Sequence, residues 1–307
     1  MGRIRALLVC FAFAVSACAG EPSPPAASAP KDEASFPVSI EAANGEIEID
    51  SRPTRIVSLS PTATEILFAI DAGDQVVAVD DQSDYPSGVP TTKLSGYQPN
   101  VEAIAAYEPS LVVTTSDASL KPLEELGVPL LVQPAVTTLD EAYAQFEQLG
   151  VATGHVAESA EEVERIRSRI KDLVASIPEF EESPTYYHEL DDTYFSITSK
   201  TFIGQIYRLA GLENIADRAK KAGTGYPQLS AEYIIDADPD FIFLADSECC
   251  NQTPARVSRR PGWDQITAVQ KEAVFNVGDD ISSRWGPRVV DFLHRVVDAL
   301  REKTPVG

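Results

Sequence analysis

Gln98–Val113 reads QPNVEAIAAYEPSLVV, and Gln228–Phe243 reads QLSAEYIIDADPDFIF. The two stretches lie 130 positions apart and carry one pattern. Each opens on a residue suited to cap a helix, Asn100 or Ser230. Such side chains accept the free N–H groups of a first helical turn. Each then places a glutamate at the second helical position, Glu102 or Glu232, and an isoleucine at Ile104 or Ile234. A turn with Pro109 or Pro239 follows, then an apolar run at Leu111-Val112 or Phe241-Ile242 that reads as a buried strand. A glutamate in a first helical turn is favoured by the helix dipole, so each residue alone has a purely structural explanation. The recurrence of the whole cap–helix–turn–strand unit predicts two similar lobes.

The segment between the copies supports this division. Across 156–178, Val163, Ile166, Ile170, Leu173 and Ile177 recur at steps of three and four, amid charged residues. No Gly or Pro intervenes before Pro178. That is one long amphipathic helix with a narrow apolar seam. Before it, residues 53–155 alternate strand and helix signals. Arg55–Ser60, Gln75–Asp80, Leu111–Thr115 and Pro129–Val132 are expected strands. Ser60 is the N-cap of a helix that begins at Pro61 and stops at Gly73. After it, residues 179–303 offer strands at Thr185–Leu190, Tyr194–Ile197, Asp240–Ala245 and Ala273–Val277. Helices are expected at Ile203–Ala210 and Val289–Arg301. The fold class is therefore α/β: two similar α/β lobes joined by one long backbone helix.

The first residues carry an address. Arg3 and Arg5 precede a 12-residue apolar run, Ala6–Ala17. About 20 such residues are needed to cross a bilayer, so 1–17 reads as a signal peptide. Its end, Val15-Ser16-Ala17-Cys18, resembles a lipobox, which implies cleavage before Cys18 and lipidation of its thiol. Plain secretion with cleavage nearby is the alternative. Residues 18–52 are then the lipidated cysteine and a flexible tether, richest in Pro, Ala and Ser over 19–35. No later segment has 18 consecutive apolar residues.

The chain has 307 residues, 47 acidic against 25 basic, and a formal charge of −22. Polyanionic partners, nucleic acid and anionic lipid surfaces, are excluded on that ground. The three histidines, His155, His188 and His294, have no ligand spacing, so a His-rich metal site or a free-metal receptor is not expected. No G-x-S-x-G, H-E-x-x-H or Walker A sequence occurs. An extracellular α/β hydrolase is the distant alternative, with His188 near Asp191 and Asp192 as its one candidate general base.

The segments RIVSLSPTATEILFAI (55–70), SDYP (83–86), NVEAIAAYEPSLVV (100–113), GLENIAD (211–217), QLSAEYIIDADPDFIFL (228–244) and DDISSRWGPR (279–288) come in a characteristic order. Over roughly residues 53–303 the chain resembles the substrate-binding lipoproteins of ABC importers in the iron-complex and cobalamin class. These are periplasmic-binding proteins of type 2, with a helical backbone and a ligand cleft between the lobes, and the vitamin B12-binding receptors are the most similar. The resemblance implies no enzyme and no cofactor. It implies a monomeric extracytoplasmic receptor, anchored to the membrane through Cys18, that captures a metal chelate and delivers it to an ABC permease. A corrinoid is favoured, with a ferric siderophore or haem as the alternative. In the family a glutamate on each lobe engages permease arginines, and Glu102 and Glu232 match those positions.

The expected ligand-binding residues are Tyr85, Tyr97, Gln98, Tyr226, Asp280, Arg284 and Trp285. Flat aromatics at loop tips suit a large planar guest, although tyrosine in a loop is also often a lid on the core. Asp280 and Arg284 match family positions at the polar periphery of a bound corrinoid. An Asp–Arg pair that only pins a loop is the alternative. Tyr97 stands where the vitamin B12 receptors have tryptophan, which alters the platform. Cys249 and Cys250 are adjacent. Neighbouring Cα atoms are about 3.8 Å apart, below the usual disulfide range of about 4.4–6.8 Å. Either a strained disulfide or two free thiols would fit.

Overall fold

A computed structural model describes residues 35–219 and 222–303. The expected signal peptide and Cys18 lie outside the described residues. In chain order, the first lobe comprises β1 (Val38–Ala42), β2 (Gly45–Ile49), β3 (Ile56–Ser58), α1 (Pro61–Ala69), β4 (Val76–Asp80), β5 (Thr91–Leu94), α2 (Val101–Ala105), β6 (Leu111–Thr114), α3 (Lys121–Glu125), β7 (Leu130–Val132) and α4 (Leu139–Thr153). The linking helix is α5 (Val156–Ala175). The second lobe comprises β8 (Thr185–Glu189), α6 (Phe202–Leu209), β9 (Glu213–Asn214), α7 (Ala231–Ala237), β10 (Phe241–Leu244), α8 (Pro254–Val257), α9 (Thr267–Gln270), β11 (Val274–Asn276), α10 (Asp279–Ser283) and α11 (Val289–Lys303).

Strand order is β5-β4-β3-β6-β7 in one sheet and β11-β10-β8-β9 in the other, and every pairing within them is parallel. The order β4-β3-β6-β7 is reproduced by β9-β8-β10-β11. β6 and β10, the strands that end the repeated unit, occupy matching places.

The repeat extends to the backbone. Asn100 Oδ1 accepts the Ala103 N–H at 2.8 Å, and Ser230 Oγ accepts that of Tyr233 at 3.2 Å. Ile104 and Ile234 are fully buried. Glu108 and Asp238 both turn the chain through positive φ, 48° and 45°, just before Pro109 and Pro239. A left-handed non-glycine residue is uncommon, so its recurrence at the same offset is strong evidence of one unit used twice.

Side chains alternate across each strand, and in the first lobe this divides the core. Val57, Ala78, Val112 and Leu130 face α2 and α3, packing with Ile104, Leu120 and Leu123. Ile56, Val79, Leu111, Val113 and Leu131 face the other way, toward α1, α4 and α5. That second core does not stop at the lobe. It continues through Phe146, Val163 and Ile166 into Ile206, Phe243 and Val296 of the second lobe. Each such large apolar side chain contributes about 1.5–3 kcal/mol when fully buried. Val163, Ile166 and Ile170 of the expected seam are buried, and the helix ends shortly before Pro178.

Two expectations need correction. The tether expected over 18–52 does not reach that far, because β1 and β2 form an antiparallel hairpin. Its alternating side chains bury Ile40 and Ile49. A two-residue turn, Ala43-Asn44, hands over to Gly45 at φ 108°. The hairpin is tied to the first lobe by Ala43 N–H to Val132 O and by Asn44 Nδ2 to Leu130 O. Tyr194–Ile197 is not a strand. Only Phe195 forms a bridge, antiparallel to Gln228, because the chain reverses at Tyr194 (φ 68°). Among the described residues no helix is long and apolar enough to cross a membrane.

Candidate functional site

In parallel sheets the loops leaving the C-terminal strand ends are where ligands bind. Tyr97 and Gln98 lie in such a loop, between β5 and α2. The loop is pressed onto the sheet edge: a Cβ on Gly96 would sit 2.5 Å from Leu59 O and 2.7 Å from Asp80 Oδ2. Only glycine allows that approach. Tyr97 is consequently raised into solvent, 91% exposed. In the second lobe, residues 225–228 run beside 195–198 just past β8, through Ser196 N–H to Pro227 O and Thr198 N–H to Gly225 O. Tyr226 there is 51% exposed.

Five large apolar side chains stay exposed among the described residues, and Tyr85, Tyr97 and Tyr226 are three of them. Phe195, beside Tyr226 on the bridged segment, is a fourth. Sequence reasoning missed it because a strand was expected there.

Arg284, Asp280 and Trp285 are arranged differently. Arg284 is 7% exposed. Its Nη1 donates to Glu65 Oε1 at 3.0 Å and to Asp84 Oδ1 at 3.4 Å. Its Nη2 donates to Gln82 O at 3.0 Å and pairs with Asp280 Oδ1 at 2.8 Å. Arg288 meets the same buried carboxylate, Nε to Glu65 Oε2 at 3.0 Å and Nη2 to Oε1 at 2.6 Å. Glu65 is on α1 of the first lobe; both arginines belong to the second. Trp285 Nε1 donates to Gln145 Oε1 on α4 at 2.7 Å. These are inter-lobe ties. Burial pushes the Asp280 carboxyl above its ordinary value despite the adjacent Arg284.

Tyr85 belongs to this group. The Arg288 guanidinium lies 4.2 Å over its ring, and Tyr85 lines a cavity of about 260 Å³ with Phe68, Arg165 and Arg169. Glu65 and Arg288 were not among the expected site residues. The one signal was a carboxylate inside an apolar helix face, TEILFA, where a buried charge demands a partner.

Glu102 and Glu232 are both exposed, each in the first turn of its helix. Glu232 accepts from its own backbone N–H and from the Ser230 hydroxyl, which holds its carboxyl below the usual range. Over 101–110 and 231–240 the sequence of buried and exposed positions agrees at nine of ten places. The two carboxylates therefore stand on matching surfaces, one per lobe.

A model of the Periplasmic binding protein family matches residues 56–281, most of the chain and both lobes. The chain belongs to the periplasmic binding protein family. This binding protein is 31% identical to a protein of Halobacterium salinarum named "Cobalamin-binding protein", covering 99% of this chain and 86% of that one. It is 29% identical to the ABC transporter substrate-binding lipoprotein YvrC of Bacillus subtilis, covering 88% and 87%. Among solved structures, the periplasmic vitamin B12-binding protein BtuF of Vibrio cholerae superposes with a TM-score of 0.68 at 25% identity, covering 82% of this chain and 99% of that one.

The general base considered for a hydrolase is sealed inside the binding protein. His188 is fully buried, its Nδ1 2.8 Å from Tyr207 Oη, and burial pushes its pKa down to about 3. Asp191 is committed to its own turn, accepting from Thr193 N–H and Oγ1 at 2.8 and 2.6 Å. Beside His188, the fully buried Glu189 takes a two-point ion pair from Arg260, both contacts 2.6 Å. Asp246, equally buried, has no hydrogen-bond partner on either carboxylate oxygen. Burial and the nearby Glu189 raise its pKa to about 8. Among the described residues no cluster of three metal-ligating side chains is present.

Proposed function

We propose that this binding protein is an extracytoplasmic receptor, lipid-anchored through Cys18, that captures a metal chelate, a corrinoid first, and delivers it to an ABC importer. The observation that carries the reading is the pair of exposed aromatics on the C-terminal strand edges, Tyr97 on one lobe and Tyr226 with Phe195 on the other. Single exposed apolar side chains are ordinary, but aromatic rings at the ligand-binding strand ends of both lobes fit a surface that a partner covers, and flat rings suit a rigid planar guest. Gln98, beside Tyr97, supplies an amide for the polar rim of that guest. The names of the Halobacterium and Vibrio proteins favour cobalamin among chelates.

The buried arginine group changes the roles expected from sequence. Arg284 serves first to fasten the lobes, whereas Asp280, Tyr85 and Trp285 keep part of their surface for a ligand. Glu102 and Glu232 are the docking pair. Two fixed carboxylates give an importer two-point electrostatic registration.

Equilibrium titration with cyanocobalamin, haemin and ferrichrome tests the ligand. Cyanocobalamin is expected to bind at least tenfold more tightly than the other two. Tyr97→Ala is expected to weaken it by about 0.5–1.5 kcal/mol, or roughly three- to tenfold. Preference for haemin or ferrichrome would replace the corrinoid by that chelate, and affinity for none of the three would defeat the reading. Labelled fatty acid appearing in wild type but not in Cys18→Ala tests the anchor.

A further inference from the structure

Cys249 and Cys250 lie in the loop that carries the chain from β10 to α8, and nothing in the fold or the proposed cleft uses their sulfurs. The loop is clamped from two sides. Asp279, the first residue of α10, accepts the Cys249 N–H at 2.8 Å, the Glu248 N–H at 3.1 Å and the Ser247 hydroxyl at 3.4 Å. From within, the Asp246 carbonyl accepts the Cys250 and Gln252 N–H groups, each at 3.2 Å. Both cysteines are free, Cys249 exposed and Cys250 half-buried. The two thiols belong to neighbouring residues, and the backbone that carries the first of them is held by the Asp279 carboxylate. At its other end α10 leads into Arg284, which ties the lobes together.

We propose that Cys249 and Cys250 form a reversible modification site, a dithiol that closes to a disulfide within the loop and in closing frees α10 from it. The two cysteines are consecutive in the chain, so closure needs no distant segment to approach. It does need local distortion. Adjacent Cα atoms sit about 3.8 Å apart, and unstrained disulfides want about 4.4–6.8 Å. Closing the ring twists the peptide unit between the two cysteines; its own N–H, that of Cys250, is given to the Asp246 carbonyl, and the Cys249 N–H just before it is given to Asp279. The co-reactant is a disulfide, either a small-molecule disulfide RSSR or an oxidised thiol–disulfide oxidoreductase. One cysteine thiolate attacks RSSR, forming a mixed disulfide and releasing RS⁻. The neighbouring sulfur loses its proton and displaces the second RS⁻. The two protein thiols give up two electrons and two protons, and RSSR leaves as two RSH. Partial burial, with Cys250 and Asp279 alongside, holds the Cys249 thiol above its ordinary range. Closure is therefore slow at neutral pH and faster in alkali, since the thiolate is the reactive form. The inference is independent of which ligand the receptor takes.

The test uses the full chain, treated with oxidised glutathione or with dithiothreitol, alkylated, and digested with trypsin. Cleavage after Lys221 and Arg256 gives a peptide, 222–256, that carries both cysteines and excludes Cys10 and Cys18. After oxidation it should be two hydrogens lighter and refuse alkylation, reaching that state faster at pH 9 than at pH 7. Hydrogen exchange read on the intact protein should rise about threefold or more over 246–252 and 279–284. Dithiothreitol should reverse both changes, and the Cys249→Ser, Cys250→Ser double variant should show neither. Two alkylated thiols after oxidation, a persistent glutathione adduct, a disulfide-linked dimer, or a closed disulfide with unchanged exchange over 279–284 would each overturn it.

Discussion

Glu65 is a buried carboxylate satisfied by two arginines from the opposite lobe. A buried ion pair adds little relative to apolar packing, but removing one partner strands the other charge. Glu65→Ala should therefore cost about 3–5 kcal/mol in urea unfolding. A loss under about 1 kcal/mol would mean that Arg284 and Arg288 find water instead. Asp246 predicts a pH effect of definite sign. Its folded pKa, about 8, lies above its ordinary 3.8, so the folded state holds a proton that the unfolded chain releases. That contribution to stability is complete below about pH 4 and is lost as pH rises through about 8. His188, pushed down to about 3 from 6.5, has the opposite slope, and its penalty appears only as pH falls below 6.5. Between pH 6.5 and 8.5 the Asp246 effect stands alone of the two. Asp246→Asn should remove it, gaining on the order of 1 kcal/mol relative to wild type across that window by denaturant titration.

At the scale of elements, α4 and α5 cross where Gly150 meets Ser159, and a Cβ on Gly150 would sit 2.6 Å from the Ser159 Cβ. Gly150→Val should force the helices apart and cost about 1–3 kcal/mol, visible as a lowered melting temperature. This is also the scale at which the sequence was most readable. The repeated cap, glutamate, isoleucine and proline gave the lobes, and the spacing of Val163, Ile166 and Ile170 gave the linking helix, because these are local patterns. The β1–β2 hairpin was readable too, from alternation around Asn44-Gly45, but the Pro- and Ala-rich residues before it drew the tether too far. The Glu65 group was not readable. Its partners are 219 and 223 positions away, and only the folded topology brings them together.

For the whole molecule, the matching of Glu102 with Glu232 makes a prediction about transport and not about capture. Glu102→Lys with Glu232→Lys should abolish uptake in cells and leave ligand affinity within twofold of wild type. A loss of affinity would place the two carboxylates in the cleft instead. Both are exposed, but each stands in a first helical turn that favours a carboxylate, so the double variant's melting temperature should be measured alongside to show that it is still folded.

The apolar core runs without interruption from the first lobe through α4 and α5 into the second, and Glu65 bolts the halves together above it. Jaws cast from one block open little of their own accord. If the proposed function holds, a guest seated between them would leave only when something outside supplied the leverage, and unloading would fall to the importer.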